Sequence, residues 1–427
     1  MTLQSLFGRF RERLWVRPTI YGVAAVALVG LARLSDVLIP LPDALPMVAP
    51  ETTEKLLTVL ASTMLAVASF AVASMLSAYS AATTGSSPRT FKLVLADDIS
   101  QSALSSFVGA FIFAVIGVLA SREAGLEATG QRALFAMTIA IFVWVIGTFV
   151  RWTDSIARLG RMGSNISRVE DAAQAALLED CRAPGLGGVP LSAGVQPQGR
   201  PVGHPARIGY VRNIDMARLQ ALAEAADTTV SVAARPGAFV WPDRALIVVP
   251  KDVQIDEDAL CEAFDIGAER SFARDPRYGM IVLGEIASRA LSPGINDPGT
   301  AIGVIDTVHR LVWVRAEMMA TTPEIRFDRV QVPRLSVEDL LADVFIPLAR
   351  EGAGTVEVAE RLQRALSALR DGCGDMETAQ AAARLGVDAL ARARAALQHG
   401  ADITRVEGAA RGEGGLLSDR SKPHTAP

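Results

Sequence analysis

The chain is predicted to be a membrane α-helical domain of four transmembrane helices plus a cytoplasmic α+β domain, with a small β-rich part and a helical second half. Three observations carry this prediction. Hydrophobicity is concentrated in the first third, where four apolar stretches approach the roughly 20 residues a helix needs to cross a bilayer core. After about residue 207 come short alternating runs bounded by turn residues, the pattern of half-buried strands. After about residue 256 capped, amphipathic helical patterns take over. The expected division is a four-span domain (1–152), an amphipathic stalk helix (153–181), a Gly/Pro-rich linker (182–206), an α+β domain (207–400) and a disordered tail (401–427).

The first apolar stretch, 19–41, is interrupted by Arg33 and Asp36, and the second, 55–83, is long and studded with serine and alanine. The third (103–121) and fourth (133–152) are clean. No small-residue cleavage site follows the first stretch and more spans come after it, so it reads as an anchor rather than a signal peptide. Loops that stay inside keep their arginines. Arg9, Arg11, Arg13 and Arg17 precede the first span and Arg151, Arg158 and Arg161 accompany the end of the fourth, whereas the 42–54 loop holds only acidic charge. Both termini are therefore expected to be cytoplasmic.

Arg33 and Asp36 are three residues apart, so they share a helix face and can pair. Charge within a span is a functional hypothesis by default, and both residues are candidates on that ground. The second span carries Ser62, Thr63, Ser69, Ser74, Ser77 and Ser80 among alanines. Such residues permit close helix packing and interhelical hydrogen bonds; they would also suit a water-lined path.

Beyond Trp152, Leu159, Met162, Ile166, Val169, Ala173 and Ala176 step by threes and fours, a short heptad seam. It serves either self-association or packing on the same chain. Residues 182–206 then read as linker by composition, and the "GLGG" within them lacks the lysine and the strand-to-helix setting of a phosphate loop. Strands are expected at 207–214, 228–235, 238–249 (a pair broken at Pro242–Asp243) and 324–332, with a helix at 216–227 behind the cap Asp215. The "RPGAFVWPDRALIVV" hairpin has no lysine at its tip, which excludes a lipoyl or biotin carrier role.

Asp275–Pro276 and Asp297–Pro298 both look like an N-cap followed by proline at the first helical position. They frame "SRALSPGINDPGTA" (288–301) as a connector between a helix of about 276–291 and another reaching about Ala320, with Gly294 expected to supply the left-handed turn. Turn chemistry accounts for its unusual residues except Asn296. Glu285 and Arg289, spaced i,i+4, and the helix start at Asp297 leave room for a small anion or ion there. Glu285, Arg289, Asn296 and Asp297 are accordingly candidates.

A net charge of −4 argues against nucleic acid as a partner. The three cysteines and four histidines are scattered without metal-ligand spacing, and no catalytic motif is recognisable. No cofactor, metal or enzymatic activity is expected.

The stretch "GAERSFARDPRYGMIVLGEIASRALSPGINDPGTA" (267–301), with "GYVRNID" and "RPGAFV" upstream, resembles an uncharacterised bacterial family of predicted membrane proteins, domain of unknown function 2254. The resemblance spans roughly residues 10–400. It implies a multi-pass protein of the bacterial inner membrane with a cytoplasmic C-terminal domain, and no assigned activity. Together with the polar second span and the seam, it leads to the expectation of a homo-oligomeric channel or transport-like protein; the alternative is a membrane-anchored regulatory or ligand-sensing module.

Overall fold

The computed structural model describes residues 16–38, 49–85, 89, 98–123, 127–159, 162–191, 197–204, 207–318 and 325–413. The chain divides into two compact units, Met1–Asn165 and Ile166–Pro427.

The first unit holds four long helices: α1 (Val16–Leu38), α2 (Pro50–Gly85), α3 (Asp98–Glu123) and α4 (Ala128–Leu159). Each contains a window long and apolar enough to cross a membrane: Val16–Leu34, Pro50–Ser77, Ile99–Arg122 and Ala128–Ile156. α3 is the central element, half of its window being buried against the other three, whose windows lie mostly at the surface. Glycines allow the close approach: a Cβ on Gly22 would meet Ile112 at 2.9 Å, and one on Gly109 would meet Tyr21 at 3.0 Å. This is the small-residue packing that replaces hydrophobic drive between helices in lipid. Trp152 is buried beside Phe70, Phe107 and Phe149, with ring centroids 6.0–6.4 Å apart. Leu65, Phe70, Leu76, Val143 and Val150 stand outward in the open, a surface that suits lipid and not water.

Three of the α2 hydroxyls singled out in the sequence, Ser62, Thr63 and Ser69, turn back on their own helix. Ser62 and Thr63 donate to the Val59 carbonyl at 3.0 and 2.7 Å, and Ser69 donates to that of Leu65 at 2.9 Å. A hydroxyl in hydrocarbon needs an acceptor, and the preceding turn supplies it.

The second unit begins in helix α5 (Met162–Arg182), whose seam residues Val169, Ala173 and Ala176 are buried. A Cβ on Gly279 would lie 2.5 Å from that of Ala173, so the seam packs on its own chain. After α5 come β1 (Gly188–Leu191), β2 (Arg200–Val202), β3 (Gly209–Ile214), α6 (Met216–Ala225), β4 (Val230–Val232), β5 (Phe239–Val240), β6 (Ile247–Val249), α7 (Glu257–Cys261) and β7 (Phe264–Gly267). The helical half follows as α8 (Pro276–Ala290), α9 (Pro298–Met318), β8 (Phe327–Pro333), α10 (Val337–Glu351), α11 (Val356–Gly372), α12 (Met376–Ala396) and α13 (Gly400–Ala410). A five-stranded sheet runs β1-β8-β4-β6-β2 and a three-stranded sheet β5-β3-β7. β8 is parallel to both β1 and β4, and the remaining pairs are antiparallel. Val211, Leu219, Val230, Ile247, Phe264 and Val330 form the core between them.

Two expectations are corrected here. Residues 182–206 do not form a linker throughout, because β1 and β2 are the two edges of the larger sheet. Proline is tolerated on an edge strand, where its missing N–H interrupts no ladder, and Pro190 and Pro201 sit there. Gly188 is required by close approach, since a Cβ would lie 2.5 Å from the Val330 carbonyl oxygen. The tail from residue 401 includes most of α13, whose Val406 and Ala409 are buried, the former against Ala393; residues 414–427 lie outside the described residues.

Candidate functional site: an arginine-lined cavity

The sequence-derived candidates fall in two places. In the first unit the apolar window of α1 ends at Leu34, so Arg33 occupies its last turn and Asp36 lies beyond it. Arg33 is exposed; the side chain of Asp36 lies outside the described residues.

In the second unit the connector resolves into turn chemistry. The Ile295 and Asn296 amides donate to the Ser292 carbonyl at 3.0 and 2.9 Å, and the Asp297 amide donates to that of Ala290 at 2.8 Å. The left-handed residue is Asn296, at φ 49°, and not Gly294. Asparagine tolerates that region better than other side-chain-bearing residues, which accounts for the one connector residue the sequence left open. Asp297 Oδ1 accepts the Thr300 amide at 3.1 Å and Oδ2 accepts the Thr300 hydroxyl at 2.6 Å. These bonds hold its carboxyl below the ordinary value. The helix N-terminus expected to attract an anion is thus already served by a carboxylate of the chain itself. Glu285 and Arg289 lie half-buried on α8, away from the cavity described next.

That cavity, about 350 Å³, opens where the larger sheet meets the starts of two helices, and Arg235, Arg244, Arg270, Arg277 and Arg334 line it with Asp275 and Asp339. The sheet topology places it. β4 and β8 run parallel with Ser231 beside Gln331, so both leave the sheet at the same edge. Arg235 follows the end of β4 and Arg334 follows β8, and an Arg235 Nη1–H donates to the Pro333 carbonyl. Crevices outside the carboxyl ends of parallel strands are where such sheets bind ligands. α8 and α10, each 15 residues long, both begin at this edge, α8 behind Asp275 and α10 behind Ser336.

Three of the arginines are fixed by carboxylates. Arg270 donates through Nε and Nη2 to the two oxygens of Asp275 at 2.6 and 2.9 Å, and its guanidinium lies 5.3 Å from the Tyr278 ring centroid. Asp275 is 3% exposed and also caps α8 by accepting the Tyr278 amide at 3.2 Å. Burial pushes its carboxyl up, and Arg270 opposes that shift. Gly237, at φ 93°, leaves room for this carboxylate; a Cβ there would lie 2.4 Å from Oδ2. Arg277 bridges Asp343 at 2.7 and 2.9 Å and Asp339 at 2.8 Å, bonds that hold its guanidinium above the ordinary value. Arg235 donates to Asp180 at 2.7 Å.

The other two stand at the mouth. Arg244 is exposed, 5.2 Å from the Trp241 ring centroid, and Arg334 is exposed. Neither has a carboxylate partner among the described residues. No motif in the sequence joins Arg270 or Arg277 with Arg235, Arg244 or Arg334. A strand-exit signal was present in "RPG" and in the "VPR" after the strand expected at 324–332; only the parallel pairing of β4 and β8 joins them. Among the described residues no group of three His, Cys, Asp or Glu side chains gathers in a way that could hold a metal.

Comparison with known proteins places the chain. A family model described as predicted membrane protein (DUF2254) matches residues 11–368. The chain belongs to that family. Its relatives include proteins named only as uncharacterized, from Mycobacterium bovis and Mycobacterium tuberculosis, each 34% identical over 115 residues, or 26% of this chain. The match spans 22% of the length of those relatives. No solved structure matches.

Proposed function

We propose that this DUF2254 protein is a membrane-anchored ligand-binding module, whose second unit takes a small anion bearing a phosphate or carboxylate group in the arginine-lined cavity. The observation that carries this reading is the pair Arg244 and Arg334, two cations without carboxylate partners among the described residues at the mouth of a cavity where two helices begin. Guanidinium groups are the favoured partners of phosphate and carboxylate, which they can meet in a bidentate manner. The fixed arginines hold the shape, and the two at the mouth supply the attraction. The reading is one of binding and not of catalysis, since arginine stays protonated and serves as neither base nor nucleophile. The arginines around the first and last spans favour an inner-membrane protein with this unit on the cytoplasmic side.

A homo-oligomeric channel is the other reading, drawn from the polar second span. The α2 hydroxyls described above already have acceptors within their own helix, so they do not call for a water-filled path. Ion flux across liposomes reconstituted with the full chain would bring the channel reading forward.

The binding reading is tested with the full-length protein in detergent, titrated with inorganic phosphate, pyrophosphate and a nucleoside monophosphate while thermal unfolding is followed. A ligand at about a hundred times its Kd stabilises by ~2.7 kcal/mol. The expected result is a saturable rise in Tm with at least one of these anions, lost in the double variant Arg244→Gln/Arg334→Gln. Equal responses from wild type and double variant, or no response to any of them, would overturn it.

A further inference from the structure

The first unit carries a groove of about 550 Å³ lined from three of its four helices: Tyr21 of α1, Ser102 and Ser106 of α3, and a stripe on α4. On α4, Trp144, Gly147, Thr148 and Arg151 fall at i, i+3, i+4 and i+7, one face of the helix. The Trp144 indole N–H donates to Ser106 Oγ at 3.3 Å, tying one wall to the other. Gly147 keeps the groove open, since a Cβ there meets no atom within 4 Å. All of these residues lie inside the candidate membrane spans, so in a bilayer the groove would face lipid.

The chemistry changes along its length. Val143 and the Trp144 ring give an exposed apolar end, and Arg151 gives a cationic end about 10 Å further along the helix at 1.5 Å per residue. Arg151 is exposed and has no hydrogen-bond or ion-pair partner among the described residues, while Ser102 and Thr148 add hydroxyls to the lining. An unpaired arginine in a span is costly unless an anion or the interface meets it. A molecule with an acyl chain at one end and a negative head at the other matches both ends at once. We propose that this groove binds one phospholipid with an anionic headgroup, its phosphate on Arg151 and an acyl chain along Gly147 and Trp144.

The test uses the full chain reconstituted in nanodiscs of mixed phosphatidylcholine and phosphatidylglycerol, then released into mild detergent and weighed by native mass spectrometry. Wild type should retain a phosphatidylglycerol adduct in preference to phosphatidylcholine. Arg151→Gln should lower the retained phosphatidylglycerol by about fivefold, the effect of one basic residue at an anionic leaflet, and Arg151→Lys should keep most of it. Gly147→Leu, which fills the groove without touching its charge, should lower retention of both lipids. Variants that elute and melt as wild type yet hold phosphatidylglycerol unchanged would overturn the proposal, as would a wild type that retains no lipid or shows no headgroup preference.

Discussion

Replacing Arg270 by methionine keeps an unbranched stem of similar reach and removes the arginine that, among the described residues, meets both oxygens of buried Asp275. Breaking a buried ion pair by deleting one partner costs about 3–5 kcal/mol, because the surviving charge stays buried without compensation. Arg270 is itself 17% exposed, so the lower end applies; the lost contact with the Tyr278 face adds about 0.5–1 kcal/mol. For a unit of this size each kcal/mol lowers Tm by about 2–4 °C, so roughly 7–16 °C is expected in thermal unfolding of the full-length protein. Arg274→Met is the internal control. Its partner Glu179 is as open to water as Arg274 itself, and such pairs contribute at most about 1 kcal/mol. The pH dependence gives a second check. Burial already raises the Asp275 carboxyl, and without Arg270 it rises further. A carboxyl with a raised folded pKa loses stability as pH climbs through that pKa, since the folded state must then bury a charge that the unfolded state solvates. The Arg270→Met deficit should therefore be largest at neutral pH and shrink on acidification, as Asp275 becomes neutral. If Arg270→Met melts alongside Arg274→Met at neutral pH, or its deficit does not shrink in acid, the ion pair is not what holds the start of α8.

Gly237→Ala should lower Tm markedly, because it places a Cβ against the Asp275 carboxylate at positive φ, whereas Gly294→Ala should leave it unchanged, its Cβ meeting no atom within 4 Å. Asp297→Ala should cost about 0.5–2 kcal/mol as the loss of an N-cap, and Asp297→Asn much less. The Asp297 carboxyl is held below its ordinary value by Thr300, so its contribution is present above the unfolded carboxylate pKa and lost as pH falls through the lowered one; Tm measured against pH for wild type and Asp297→Ala should converge in acid. Reporter fusions after Val48 and Leu126 should read periplasmic, and those after Thr90 and Pro205 cytoplasmic; the inverse pattern would refute the orientation drawn from the arginines.

What was legible in the sequence was local. Asp215, Asp275 and Asp297 all cap the helices they were expected to cap, because a cap is decided within four residues by a side-chain oxygen and a free N–H. The four spans were equally plain, since an apolar window is its own signal. The failures came where glycine and proline had tertiary reasons. Composition reads them as linker, but Gly188 is small because a neighbouring strand passes within 2.5 Å of where its Cβ would be, and Pro201 is tolerated because β2 is an edge. The seam on α5 was visible as a period, yet its partner was not, because a row of alanines does not say which helix will press a glycine against it.

The cavity illustrates the same limit in its sharpest form. Its arginines come from three segments, 235–244, 270–277 and 334, and each alone looks like an ordinary charged turn or cap. Pairing β4 with β8 in parallel converts them into one site, because parallel neighbours must release their chains at the same edge. The consequence is chemical as well as geometric. An ion-pair network that served only the fold would be expected to match its cations with carboxylates, as Arg235, Arg270 and Arg277 are matched by Asp180, Asp275 and the Asp339–Asp343 pair. Arg244 and Arg334 break that pattern at the cavity mouth, and since Asp275 and Ser336 already cap α8 and α10, the surplus positive charge there comes from these two side chains. That surplus is what the proposed anionic ligand would neutralise, through the guanidinium pairing that phosphate and carboxylate groups favour.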